Sequence, residues 1–136
     1  MDSLYSERIL DHYHNPRNRG TLEGADLSCE QDNPLCGDVV RLDIRLKDGR
    51  VSEVRFSGRG CVLSMASASM LTEEILDKTV EELRALGDEF VFEMLGVKPG
   101  PVRAKCGLLP LRVLQEAIEG QSPNPKSQNP KAQVLP

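Results

Sequence analysis

Between residues 39 and 56 the chain alternates apolar and polar side chains with the two-residue period of a half-buried strand, twice, around Asp48-Gly49. Val40, Leu42, Ile44 and Leu46 mark one face, opposed by Val39, Arg41, Asp43, Arg45 and Lys47. After the turn, Ser52, Val54 and Phe56 alternate with Val51, Glu53 and Arg55. This pattern dictates a β-hairpin with one face on a core. Asp48-Gly49 first suggests a two-residue turn joining Lys47 to Arg50. That pairing sets Ile44 against Glu53 and Leu42 against Arg55, which mixes the faces. A three-residue loop, Lys47-Asp48-Gly49 with Gly49 left-handed, pairs Leu46 with Arg50, Leu42 with Val54 and Val40 with Phe56. Because a slip of one residue turns the apolar set outward, this second register is the expected one.

The open end of the hairpin carries the chemistry. Asn33-Pro34-Leu35-Cys36-Gly37-Asp38 leads into the first strand. With Gly37 extended, Cys36 and Asp38 point the same way, about 6–7 Å apart. Soft sulfur beside hard oxygen is compatible with a zinc or iron site. The expected register sets Asp38 opposite Gly58 and Cys36 opposite Gly60, with facing Cα atoms about 4.5–5.5 Å apart. Cys61 then comes close to Cys36. Gly58 and Gly60 stand where a side chain would crowd a bound ion. Cys61 opens a helix over residues 61–76 whose Ser64, Ala66, Ser67, Ala68 and Ser69 permit close packing on the sheet. A thiol in a first helical turn meets unpaired N–H groups that attract an anionic sulfur. The alternative for Cys61 is a core thiol at a capped turn.

The rest of the chain supplies helices around this hairpin. Leu4, Tyr5, Ile9 and Tyr13 give one stripe of a helix over 4–13, stopped ahead of Pro16. His12 and His14 sit on its polar end with a spacing unsuited to one face and are set aside as ligands. Residues 17–24 read as loop and 25–31 as a short strand, in which Cys29 is a small buried hydrophobe. Thr79-Val80-Glu81-Glu82 is a capping box opening a helix with Val80, Leu83, Leu86 and Phe90, broken near Gly87 and resumed over 91–95 up to Gly96. A last helix over 102–118 buries Leu111, Leu114 and Ile118, and Pro110 is expected to bend or interrupt it. Cys106 lies near its start, on the side of Leu109 and Val113. It follows Cys61 by 45 residues, which matches no local metal knuckle, so ligand and core thiol both remain open.

Composition narrows the class. The first five residues contain no apolar h-region and no stretch approaches a membrane span, so a cytoplasmic protein without membrane partners is expected. Its four cysteines are then thiols or ligands rather than a disulfide framework. Residues 1–120 form one domain, while 121–136, with four prolines and no acidic residue, read as a disordered tail. Without the tail the formal charge is −6, and with no basic run nucleic acid is excluded as a partner.

Three separated motifs now occur in order: Asn33-Pro34-Leu35-Cys36-Gly37-Asp38, then Phe56-Ser57-Gly58-Arg59-Gly60-Cys61 followed by Ser64 and Ala66-Ser67-Ala68-Ser69-Met70, then Arg103-Ala104-Lys105-Cys106. With Tyr5-Ser6-Glu7, Asp11-His12-Tyr13 and Asn15-Pro16-Arg17-Asn18, they resemble the iron–sulfur cluster assembly scaffold family of the IscU, SufU and NifU N-terminal type, over roughly residues 3 to 119. The resemblance implies an α+β domain with a small three-stranded, mostly antiparallel sheet packed against helices. It implies Cys36, Cys61 and Cys106 as cluster or metal cysteines, and Asp38 as an aspartate of ligation or cluster release. Its cargo would be a transient 2Fe–2S cluster, with zinc bound as isolated. Its partners would be a cysteine desulfurase, an iron donor and apo-protein acceptors, rather than a small molecule turned over. Lys105 is similar to the SufU branch, whose members bind zinc and accept sulfur, and a cation there would favour a Cys106 thiolate. The stretch Val97-Lys98-Pro99-Gly100-Pro101-Val102-Arg103 differs from the Leu-Pro-Pro-Val-Lys that a chaperone reads in the IscU branch. Scaffold and zinc-bound sulfurtransferase are therefore both implied, and chaperone use is left open.

Overall fold

The computed structural model describes residues 6–34 and 37–119. Leu4, Tyr5, Cys36 and the 121–136 segment of the sequence expectations lie outside them. In chain order the elements are α1 (Glu7–His14), β1 (Leu27–Asn33), β2 (Asp38–Lys47), β3 (Arg50–Arg59), α2 (Val62–Ile75), α3 (Val80–Arg84), α4 (Asp88–Leu95) and α5 (Pro101–Glu119). The strands form one antiparallel sheet in the order β1-β2-β3. Helices back it, giving the α+β architecture expected from the sequence.

The hairpin forms, but its register corrects the expectation. Lys47 pairs with Arg50 across the two-residue turn, and Asp48 and Gly49 both take positive φ, 55° and 78°. The parity problem is solved inside the strand: Leu46 faces Val51 while Arg45 faces Glu53, so Ser52 is an extra residue on β3. Its hydroxyl donates back to the Arg45 carbonyl at 3.1 Å. Beyond this bulge Ile44 meets Val54, Leu42 meets Phe56 and Val40 meets Gly58, so the apolar faces coincide. A turn that suits the sheet twist and a bulge together restore the face that a longer loop would also have restored. Every pair toward the open end is thereby displaced by two residues. The ladder ends at Val39 and Arg59, and Asp38 is carried past Gly58 toward Gly60.

One sheet face, with Val40, Leu42, Ile44, Val54 and Phe56 all fully buried, lies against the helices. α5 packs on β1 and β2, α2 on β3 and α5, and α1 on α2. On the other face the loop after α1 pairs with the outer edge of β3, through the Phe56 amide to the Asn18 carbonyl (2.9 Å) and the Gly20 amide to the Phe56 carbonyl (2.8 Å). An edge that would otherwise invite another strand is closed. Asp43 is buried beneath that loop, accepting from the Leu22 amide, the Ser28 hydroxyl and Arg41 Nε.

α2 is buried on nearly every side, so its serines need partners inside the protein. Ser67 donates to the Gly107 carbonyl of α5 at 2.7 Å, and Ser69 accepts the Arg17 amide at 2.9 Å. His12 Nδ1 lies 2.8 Å from Ser69 Oγ. The buried positions of α1 are therefore Ile9 and His12, while Tyr13 is exposed, contrary to the expected stripe. α5 runs through Pro110 as one helix rather than being interrupted. The proline removes one donor, the N–H that would have reached the Cys106 carbonyl.

Candidate metal centre

The open end of the hairpin, the start of α2 and the first turns of α5 converge on one cleft. Asp38 is the first residue of β2, Cys61 is the N-cap of α2, and Cys106 lies in the second turn of α5. One ligand atom from each lies within 4.8 Å of the others. Asp38 and Cys106 are buried, and Cys61 is half-buried. The Cys61 amide donates to Asp38 Oδ1 at 3.0 Å, and the Cys61 thiol to Asp38 Oδ2 at 3.5 Å. The carboxylate thus sits at the positive end of α2, where an anion is stabilised. Ser64 donates to the Cys61 carbonyl at 3.1 Å, with its hydroxyl 3.8 Å from Cys61 Sγ.

The bulge-shifted register explains this geometry. A Cβ at Gly60 would lie 2.8 Å from the Asp38 carboxyl carbon and 2.5 Å from Ser64 Oγ. Gly60 therefore makes room for the ligand side chains themselves, not only for an ion. Gly58 serves another purpose: its φ is +125°, and a Cβ there would lie 2.0 Å from the Val39 carbonyl oxygen. It permits the close approach of β2 to β3.

The donor set fits a borderline-soft metal. A tetrahedral zinc with bonds of about 2.0–2.3 Å spaces its ligand atoms about 3.5 Å apart. The Cys61–Asp38 pair is already at that spacing, 3.5 Å, and Cys106, within 4.8 Å of both, comes in with a contraction of at most about 1.3 Å. Three ligands from three separate elements leave room for a further ligand in a cleft of about 500 Å³. Gly37, Asp38, Arg59, Gly60, Cys61, Val102, Arg103 and Cys106 line it.

Gly37 is left-handed at φ +73°, with its amide on the Asn33 carbonyl, so the extended geometry expected to align Cys36 with Asp38 does not form. Cys36 itself lies outside the described residues. Lys105 is exposed and does not line the cleft among the described residues; Arg103, one turn before Cys106, does. Arg103 was accessible from its i, i+3 relation to Cys106, whereas Arg59 carried no signal beyond its place between two glycines. Both place positive charge at the mouth of an anionic ligand set. Cys29 stands apart on β1, its thiol pushed up to about 12 by burial and then by the Glu116 carboxylate. The His12 ring, held by Ser69 and 3.8 Å from Glu73, is also outside the cluster.

Fold and site together define a small α+β domain that gathers two thiols and a carboxylate, a set able to hold a metal ion, in an open cleft. The NifU-like N terminal domain family matches residues 4–126, and the chain belongs to that family. It is 35% identical over 135 residues to a zinc-dependent sulfurtransferase, SufU, of Bacillus subtilis, covering 87% of this chain and 91% of that one. It is also 35% identical over 118 residues to the iron–sulfur cluster assembly scaffold protein IscU of Escherichia coli, covering 84% and 91%. Among solved structures, a putative iron–sulfur cluster assembly scaffold for the SUF system from Fervidobacterium islandicum superposes with a TM-score of 0.73 at 30% identity, covering 85% of this chain and 96% of that one.

Proposed function

We propose that this chain is a scaffold on which an iron–sulfur cluster is assembled from desulfurase-derived sulfur and iron, then transferred to apo-proteins. The observation that carries it is the meeting of the Asp38 carboxylate with the Cys61 and Cys106 thiols within 4.8 Å in an open cleft. Cys36 is the third thiol in this proposal, one residue from Gly37, which lines the cleft. Three sulfurs and one oxygen suit a cargo that must leave, because an oxygen ligand holds a soft metal ion less firmly than a fourth sulfur. Arg59 and Arg103 offset the negative charge of the thiolates and incoming sulfide. A cysteine desulfurase, an iron donor and apo-protein acceptors are the partners, in the cytoplasm. Anaerobic incubation with desulfurase, cysteine, ferrous iron and a thiol reductant that brings the persulfide sulfur to sulfide is expected to yield a brown 2Fe–2S chromophore at about one cluster per monomer or dimer. Colourless protein retaining zinc alone refutes this assignment.

The identity with a zinc-dependent sulfurtransferase favours a second reading. Zinc would occupy the same ligands, and a cleft thiolate would take the terminal sulfur from a desulfurase persulfide without building a cluster. Zinc-loaded protein should then stimulate desulfurase turnover and acquire labelled persulfide. Absence of stimulation removes this reading.

A further inference from the structure

Beside the ligand atoms the site holds a hydroxyl that ligation gives nothing to do. Ser64 is fully buried, one turn into α2 from Cys61, and donates its single proton to the Cys61 carbonyl at 3.1 Å. That carbonyl already accepts the Met65 amide at 3.1 Å, so it keeps its helical partner without Ser64. The same hydroxyl oxygen lies 3.8 Å from Cys61 Sγ, whose single thiol proton is shared between it and Asp38 Oδ2 at 3.5 Å. Space for it is reserved, since a Cβ at Gly60 would lie 2.5 Å from Ser64 Oγ.

We propose that Ser64 is a positioning residue with a switchable hydrogen bond: it caps the Cys61 carbonyl in the metal-free protein and turns to the Cys61 sulfur when a metal binds. A metal-bound sulfur has no proton to donate and has lone pairs that accept one. The contact at 3.8 Å then remains favourable only if the hydroxyl supplies the proton. Rotation about the Cβ–Oγ bond achieves this. No covalent bond to the hydroxyl breaks; the thiol proton leaves to solvent and the Ser64 proton stays on Ser64. A hydrogen bond to a ligand sulfur withdraws electron density from it, weakening its donation to the metal. Ser64 would thus tune how firmly Cys61 holds its cargo.

The proposal rests on Cys61 being a metal ligand, and the experiment separates the two. Cobalt(II) serves as the spectroscopic probe. It is loaded into wild type, Ser64→Ala and Ser69→Ala, the last losing a buried hydroxyl that accepts the Arg17 amide, away from the ligand set. Folding is confirmed by far-ultraviolet circular dichroism. Wild type is expected to show sulfur-to-cobalt charge-transfer bands. Ser64→Ala is expected to move them to longer wavelength, because a sulfur without its hydrogen bond is more electron-rich. Ser69→Ala is expected to leave them in place, and Ser64→Thr, which keeps a hydroxyl, to restore them. Unmoved bands in Ser64→Ala, or an equal shift in Ser69→Ala, overturn the role of Ser64 and leave the metal site intact. Absence of sulfur bands in wild type overturns the ligand assignment itself, and the Ser64 proposal with it. Loss of cobalt loading in folded Ser64→Ala supports the role if Ser64→Thr recovers it, and overturns it if Ser64→Thr does not.

Discussion

Gly58 and Gly60 sit two residues apart, the second lining the cleft, yet alanine should act on them through different contacts and to different extents. At Gly58 the added Cβ meets backbone, the Val39 carbonyl oxygen at 2.0 Å and its carbon at 2.9 Å, at a φ of +125°. The dihedral alone costs about 1–3 kcal/mol. Relief of the overlap requires β2 and β3 to part, losing ladder bonds at about 1 kcal/mol each. A loss of about 3–5 kcal/mol follows, a large share of the roughly 5–15 kcal/mol that holds a domain folded. At Gly60 no positive φ is involved, and the Cβ meets the ends of two side chains, Asp38 and Ser64. Those ends can rotate away. The consequence is loss of the Asp38 bond to the Cys61 amide, about 1.5–3 kcal/mol for a charged acceptor. Reduced freedom of the unfolded chain offsets about 0.4–1 kcal/mol of this. The net is about 1–2 kcal/mol, with the ligand set broken. Urea unfolding at a slope of about 1.5 kcal/mol/M should lower the midpoint by about 2–3 M for Gly58→Ala and by about 1 M for Gly60→Ala. Cobalt titration of Gly60→Ala under folded conditions should show at least a tenfold weaker site. The reasoning fails if Gly58→Ala unfolds within 1 M of wild type, or if Gly60→Ala binds cobalt as wild type does.

Three further outcomes are expected. Asp38→Ala should stay folded and load a cluster on the thiolates but release it more slowly to an apo-ferredoxin, followed by circular dichroism; a rate equal to or faster than wild type refutes a release role. The His12 imidazole is held below its usual range by burial first and then by the Arg17 charge. The unfolded chain therefore binds a proton there before the folded one does. Stability from this group is complete above the unfolded value of about 6.5 and falls as pH drops through the depressed folded value. His12→Gln should flatten that part of the urea-midpoint profile, and an unchanged profile counts against it. Cys29, with its thiol near 12, should resist iodoacetamide at pH 8 while Cys61 in the metal-free protein is alkylated, as read by peptide mass mapping; rapid modification of Cys29 contradicts its placement.

What the sequence disclosed about the fold came from local periodicity. The hairpin faces, the Thr79–Glu82 capping box and the buried Leu111, Leu114 and Ile118 are all seen as the pattern requires. Local pattern fails where two solutions preserve the same parity. A three-residue loop and a two-residue turn with a bulge at Ser52 both keep Leu42 and Val40 inward, and only the sheet twist favours the second. Helix faces fail for a different reason. His12 is buried and Tyr13 exposed because Ser69 of α2 offers the imidazole a hydrogen bond, and that contact spans 57 residues.

The same distinction runs through the site. Asp38 and Cys61 were legible together because a hairpin brings its two ends to one place whatever its exact register. The two-residue displacement changed which glycine faces the carboxylate, and the change strengthened the pairing: Asp38 moved from Gly58 toward Gly60, next to the Cys61 amide. Cys106 is another matter, since no spacing rule spans the 45 residues that separate it from Cys61. Its position is set by how α5 lies on α2, and the Ser67 hydroxyl on the Gly107 carbonyl pins that contact one residue past Cys106. Pro110 sits one turn further on, where its missing N–H falls opposite the Cys106 carbonyl. The run of small residues in α2 is thus more than a means of close packing. Ser64 touches Cys61, Ser67 holds the helix that carries Cys106, and Ser69 anchors α1 and its loop. One buried helix with hydroxyls at these positions orients two of the site's thiols while satisfying its own polar groups.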